Sequence, residues 1–173
     1  MLTREMRQRL DLQTRITLGA GDYKKLIERK IPEFTNSIIV LDGDMNGVSK
    51  GIKDSEKPHF KQVAFLPGTE CPEKILFEFY RILPEEDPFW DNENSTFTRQ
   101  ISFSQFPSPP KDTHGYKQWM QSQNSSTGIN MQSRMIKRWT QSNDVHVRKF
   151  RADVQQAYNY VASKLGLDAI EDL

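Results

Sequence analysis

Two short apolar runs constrain the fold of this 173-residue chain more than any other feature. Residues 37–41, "SIIVL", and residues 62–66, "QVAFL", are almost entirely apolar, which is typical of strands covered on both faces. A further strand is predicted at 14–19, "TRITLG", and helices are predicted at 23–31 and 71–83. Because strands alternate with helices, the pattern predicts an α/β fold with a mainly parallel sheet.

The pattern changes after residue 88. Residues 89–112 are rich in aromatic residues, serine and proline and predict a connecting segment with at most one short helix. Beyond residue 113 the pattern is helical, and the last helix carries an apolar stripe from Phe150 to Leu165 and ends at Gly166. We therefore predict an α/β domain over 1–88, a connecting segment over 89–112 and an all-helical C-terminal extension over 113–173.

The charges are unevenly distributed, although the net charge is only +1. Residues 70–93 contain eight acids and two bases, whereas residues 111–151 contain eight bases and two acids. This asymmetry indicates an acidic region suited to cations and a basic region suited to an anionic polymer, or else two solvated helix surfaces of opposite sign. The chain has no apolar run of membrane-span length, no signal-peptide core at its start and a single cysteine, Cys71. We expect no membrane association and a reducing, cytoplasmic location.

Two aspartates one residue apart, Asp42 and Asp44, directly follow the first apolar run in "SIIVLDGDMNGV". The letters match the first half of a calcium-binding EF-hand loop, but the twelfth position is Lys53 and the loop follows a strand, so this interpretation fails. Two others stay open: the nucleophile and acid–base pair of a haloacid-dehalogenase-like phosphatase, or a divalent-metal site on two carboxylates. A turn that binds nothing is a weaker alternative, because two such close carboxylates repel each other without a cation.

The wider pattern adds to the metal-site interpretation. Residues 42–47 spell D-x-D-x-x-G, and residues 65–74, "FLPGTECPEK", follow at the start of the next predicted helix. Over roughly residues 14–85 the chain resembles the TOPRIM domain of OLD-family (overcoming lysogenization defect) ATP-dependent endonucleases. In that family the TOPRIM domain is the nuclease part and follows an ABC-type ATPase. The resemblance implies a Rossmann-like TOPRIM sheet and metal-dependent nicking or cleavage of DNA.

The resemblance also implies roles for individual residues. Asp42, Asp44 and Glu73 would hold Mg²⁺ or Mn²⁺, with Glu70 as the second choice for the third acid. Lys117 would stabilise the charge that develops on phosphate. The two glutamates and Lys117 have an ordinary structural explanation too: acids are favourable in the first turn of a helix, and a lysine beside a tryptophan is often only solvent-exposed.

The basic region is expected to bind the DNA backbone without sequence preference. The residues assigned to this contact are Lys137, Arg138, Arg148, Lys149 and Arg151, and Lys137 is also the second choice for the catalytic lysine. DNA is the expected partner, and homo-oligomerisation stays open.

One feature departs from the TOPRIM pattern. The family carries a glutamate at the end of its first strand, but before "TRITLG" this chain offers only Glu5, in a polar run. We expect that the chain lacks that strand, or that another chain completes the site. The sequence contains no G-x-x-x-x-G-K-[ST] motif, so ATP is expected only through a domain not present here, in an ABC-type ATPase portion or a partner chain. A non-catalytic DNA- or partner-docking module is the remaining alternative.

Overall fold

The structure, a computed structural model, describes residues 22, 25–26, 28–46, 60–91, 98–127 and 131–171. Strands β1 and β2 span Ile39–Leu41 and Val63–Phe65, and a short 3₁₀ turn spans Gly43–Met45. The helices are α1 Pro32–Thr35, α2 Pro72–Arg81, α3 Arg99–Phe103, α4 Thr113–Thr127, α5 Met131–Ser142 and α6 Asp144–Leu165.

The described part of the chain is a mixed α/β structure, mostly helical, with a two-stranded parallel sheet. Leu41 pairs with Phe65 in the register of the two strands, so their carboxyl ends lie at the same edge. This pairing confirms the parallel arrangement predicted from the two apolar runs. The predicted strand at 14–19 lies outside the described residues. In the predicted helix at 23–31 the described positions 25, 26 and 28 are helical, but residues 29–31 are not, because Lys30 adopts the left-handed conformation (φ +52°).

The expectation that β1 is covered on both faces is wrong. Ile39 and Leu41 are buried, but Val40 between them is 46% exposed. On the face shared by Val40 and its partner Ala64, helix α6 packs against Ala64 and leaves Val40 open to solvent. Among the described residues, helix α6 covers only part of this face, and the sequence of the strand alone does not predict how far a helix covers it.

The described residues form two compact units. The first unit contains the described residues of 1–69 and 145–173, and the second unit contains residues 70–144. This grouping does not test the division of the chain into domains at 1–88, 89–112 and 113–173, which stays a prediction.

In the described part of the first unit, the core is small and lies on both faces of the sheet. Ile39, Leu41 and Val63 form one cluster with Phe34 packed against it. On the opposite face the second cluster contains Ala64 and the apolar stripe of α6, with Ile170 from the segment after the helix. The sheet therefore has apolar cover on each face, although this cover is incomplete over β1.

The core of the second unit is larger and mostly aromatic. Phe77 on α2 makes edge-on contacts with Tyr116 and Trp119 on α4, at ring-centre distances of 5.3 and 4.9 Å. The indole N–H of Trp119 donates to the carbonyl of Ser102 at 2.8 Å and so fixes the short helix α3 to α4. Tyr80 is fully buried and donates to the carbonyl of Met135, and burial raises the pKa of its hydroxyl.

The end of α6 agrees with the sequence, except at one position. Gly166 follows the helix with φ +67°, the left-handed conformation that favours glycine at this position. Leu165, predicted on the apolar stripe, is 45% exposed, because the stripe turns away from the core in the last turn. Among the described residues no helix is both long enough and apolar enough to cross a membrane.

Candidate metal site

The two aspartates lie where β1 ends. Asp42 is extended (φ −61°, ψ 150°) and directly follows the strand, and its carbonyl accepts from the backbone N–H of Met45 at 3.0 Å. This hydrogen bond closes the 3₁₀ turn that carries Asp44, and both aspartates are solvent-exposed. The structure thus brings Asp42 and Asp44 together on one tight loop at the carboxyl edge of the parallel sheet, where ligands of open α/β sheets bind.

Gly43, between the two aspartates, is buried and packs against the loop that follows β2. A Cβ atom at this position would lie 2.5 Å from the carbonyl oxygen of Gly68 and 2.8 Å from that of Leu66. The backbone N–H of Leu66 also donates to the carbonyl of Leu41 at 2.8 Å. The aspartate loop and the "LPG" loop therefore form one close-packed backbone unit, and only glycine fits between the two acids.

In the D-x-D motif position 43 is unspecified, so the motif does not predict that Gly43 packs against the loop after β2. A signal was present, since a glycine stands in that position and another, Gly68, closes the loop after β2 with φ +97°. Two glycines at corresponding strand ends indicate close backbone approach.

Glu70 and Glu73, the two choices for a third acid, lie before and within the first turn of α2. Glu70 is exposed and forms an ion pair with Lys74 at 2.8 Å, and this hydrogen bond raises the pKa of the Lys74 ammonium. Glu73 differs, because its Oε2 is buried without a hydrogen-bond partner in the described part of the chain. A buried carboxylate oxygen without a partner is costly, so Glu73 fits a ligand-binding role better than Glu70 does.

The acids belong to different compact units: Asp42 and Asp44 to the first, Glu70 and Glu73 to the second. Within the described ranges no three histidine, cysteine, aspartate or glutamate side chains group closely enough to hold a metal ion.

The predicted basic residues of the second unit have different surroundings. Lys117 is exposed on α4, two residues before the buried Trp119, and Lys137 is exposed on α5. Arg138 instead forms a bidentate ion pair with Asp87. Its Nη2 lies 2.7 Å from one carboxylate oxygen of Asp87, and its Nε lies 3.2 Å from the other. This pair has a structural role, whereas Lys117 and Lys137 point into solvent.

The predicted basic residues of the first unit lie near the start of α6. Arg148 and Lys149 are exposed, and the Lys149 ammonium lies 2.6 Å from the carboxylate of Asp153, one turn later. Arg151 is partly buried, and its Nε has no hydrogen-bond partner in the described residues. All three of these residues belong to the same compact unit as the aspartate pair.

Comparisons with protein-family models, with curated proteins and with solved structures found nothing that matches this chain.

Proposed function

We propose that this chain is a Mg²⁺- or Mn²⁺-dependent DNA nuclease domain of the TOPRIM type, as in OLD-like ATP-dependent endonucleases. The observation that carries the proposal is the pair of exposed carboxylates at the carboxyl end of β1, on either side of a glycine that closely contacts the neighbouring loop. This backbone packing fixes the loop that carries both acids, and two carboxylates this close in sequence repel each other unless a cation lies between them.

The donor set fits a hard divalent cation. Carboxylate oxygens are the ligands that Mg²⁺ and Mn²⁺ prefer, and Mg²⁺ is usually held by one or two carboxylates together with water and substrate phosphate. Two exposed aspartates meet that need without a full protein cage. When bound, such an ion activates water and offsets the negative charge of a phosphodiester during hydrolysis.

In this proposal the residues of the chain have different roles in binding the ion and the phosphate. Asp42 and Asp44 would hold the ion, and hydrolysis would add water across the phosphodiester, leaving one strand end with the phosphate and the other with a hydroxyl. Glu73 as the third acid, with Glu70 as the second choice, stays a prediction from the resemblance, because both lie in the other compact unit. Lys117 keeps its role as a prediction from the resemblance, and ATP would act only through another domain or chain.

Mn²⁺ binding and plasmid nicking test the proposal together. Removing a group that merely hydrogen-bonds to a metal ligand typically costs roughly 10- to 100-fold in metal affinity, so loss of a ligand should cost at least as much. We expect Asp42→Asn and Asp44→Asn each to weaken Mn²⁺ binding, measured by calorimetry, by about tenfold or more, and to abolish nicking of supercoiled plasmid. Asp22→Asn is the matched control, because Asp22 is an exposed aspartate of the same unit.

Two results would contradict the proposal in different ways. Equal Mn²⁺ affinity in the wild type and in the Asp42→Asn, Asp44→Asn double variant would remove the metal site and favour a docking module. Hydrolysis of p-nitrophenyl phosphate with the plasmid left intact would favour the phosphatase interpretation.

A further inference from the structure

A polar cleft lies beside the aspartate loop in the first unit. It has a volume of about 220 Å³, and its lining includes Asn46, Lys61, Phe65, Lys149, Asp153 and Gln156. Asn46 ends the 3₁₀ turn that carries Asp44, and Phe65 pairs with Leu41, the residue just before Asp42. One end of the cleft therefore lies at the carboxyl edge of the sheet, next to the loop that carries the two aspartates.

The charge of the cleft suits an anion. The described residues of its lining include two lysines and one acid, so together they contribute a net positive charge beside the acidic loop. The Lys61 ammonium lies 5.7 Å from the centre of the Tyr160 ring, within the range of a cation–π contact that orients it. The amide groups of Asn46 and Gln156 add neutral hydrogen-bonding groups to the same lining.

Lys149 forms an ion pair but can still bind a second anion. Its ammonium contacts Asp153 at 2.6 Å, and its side chain is 72% exposed. An exposed ion pair one helical turn apart is weak, and an ammonium has three donors, so a second anion can bind Lys149 while Asp153 stays in place. Asp153 thus lowers the affinity of the cleft for anions without closing it.

The size of the cleft limits the ligand. Small-molecule sites usually begin at roughly 300 Å³, which exceeds the volume of this cleft. A single phosphate with part of its sugar fits better than a whole cofactor. Lysine, a compact point charge on a flexible stem, is a common phosphate contact.

We propose that this cleft is a phosphate-binding subsite for the nucleic-acid backbone, in which Lys61 and Lys149 bind the phosphate and Asp153 moderates its affinity. The subsite deepens the proposed nuclease function and rests on it for the identity of the polymer. It positions one phosphate of the strand next to the aspartate loop, and because it contacts backbone alone it confers no sequence preference.

The salt dependence of DNA binding tests the subsite. Binding of a labelled duplex is measured by fluorescence anisotropy over a range of KCl concentrations, in EDTA so that no metal contributes. Each lysine that contacts a phosphate contributes about 1 to the slope of log K against log salt. We expect Lys61→Gln and Lys149→Gln each to lower that slope by about 1, and Asp153→Asn to tighten binding severalfold.

Matched variants separate this role from a structural one. Lys25→Gln removes the same charge from an exposed lysine of the same unit that also lies near an aspartate, Asp22, and we expect it to leave the slope unchanged. Lys61→Arg and Lys149→Arg keep the charge and should retain the wild-type slope. If the glutamine variants behave as Lys25→Gln does, the subsite is wrong. Competition by polyglutamate as strong as that by an oligonucleotide of equal charge would also overturn it, in favour of an acidic peptide.

The two proposals fail separately. The Asp42→Asn, Asp44→Asn double variant reports on the metal site, and the metal-free salt slope reports on the cleft. Unchanged slopes in the lysine variants, with Mn²⁺ binding lost in the aspartate variant, would remove the subsite and leave the nuclease proposal intact. The opposite pair of results would leave a phosphate-binding cleft in a protein without the proposed metal site.

Discussion

The two compact units are stabilised in different ways. The second unit packs large rings against one another: Phe77, Tyr80 and Trp119 are each no more than 1% exposed. The described residues of the first unit form a short sheet, small apolar clusters and a loop in which Gly43 packs against neighbouring carbonyls, while the aspartates beside it stay exposed. The difference indicates that the second unit is stabilised mainly by buried area, and that the first holds its exposed acids by close backbone packing.

The largest expected effect tests the aromatic core. Trp119→Ala removes a side chain with no exposed surface, its contacts with Phe77 and its hydrogen bond to Ser102. We expect a loss of about 3–5 kcal/mol in the free energy of unfolding, measured by urea denaturation. Ile82→Ala, at a position 76% exposed in the same unit, should change stability by less than about 0.5 kcal/mol. A loss below about 1 kcal/mol for Trp119→Ala would show that buried aromatic area is not what mainly stabilises the second unit.

The next effect tests the backbone packing of the first unit. Gly43→Ala places a methyl group 2.5 Å from a backbone carbonyl oxygen, which has to move. We expect a loss of about 2 kcal/mol in the free energy of unfolding and weaker Mn²⁺ binding, because the two aspartates shift together. Gly166→Ala is the control: it also strains the backbone (φ +67°), but nothing lies within 4 Å of its added methyl, and Mn²⁺ binding should stay as in the wild type. Equal Mn²⁺ binding in the wild type and Gly43→Ala would contradict this role for Gly43.

A smaller, pH-dependent effect concerns the ion pair of the second unit. The Arg138 guanidinium, hydrogen-bonded to Asp87, lowers the pKa of the Asp87 carboxyl below its ordinary value. A lowered pKa stabilises the fold above the unfolded-state value of about 3.9, and this contribution is lost as the pH falls through the folded-state value. We expect Asp87→Asn to cost about 1–2 kcal/mol at neutral pH, and the difference from the wild type to shrink in acid unfolding experiments.

Glu86→Gln is the control for this pH dependence. Glu86 is an exposed neighbour of Asp87, so its substitution should leave both the stability and its pH dependence nearly unchanged. A stability difference for Asp87→Asn that stays constant from neutral pH to pH values well below 3.9 would show that the pair contributes nothing through charge.

Local sequence patterns predicted the strands and helices. Exposure and ion pairing depend on long-range contacts, which these patterns do not predict. The two apolar runs predicted β1 and β2, and Pro72 marked the first turn of α2, because these signals lie within single segments. The exposure of Val40 depends on how many helices cover one face of the sheet. The pair of Asp87 and Arg138 joins residues 51 positions apart, which no local pattern encodes.

The same limit applies to the candidate site. The aspartate pair was visible as a motif, because both acids follow one strand. The lining of the cleft was not, since Lys61 precedes β2 and Lys149 lies on α6, and only the folded first unit places them along one cleft.

The smallest effect tests whether the first unit also depends on hydrogen bonds to its last segment. The side chain of Asn159 accepts from the backbone N–H of Ile170 at 2.9 Å and donates to its carbonyl at 3.1 Å, which holds the buried Ile170 against α6. We expect Asn159→Ala to cost about 1 kcal/mol, seen as roughly fivefold faster hydrogen exchange at the Ile170 amide. Ser163→Ala, which removes only a bond to the carbonyl of Tyr160 within α6, should leave that exchange rate unchanged. Unaltered exchange at Ile170 in both variants would mean that the bonds of Asn159 are not needed, and that apolar burial together with the bonds from Gln155 to the carbonyls of Ile170 and Glu171 holds this segment.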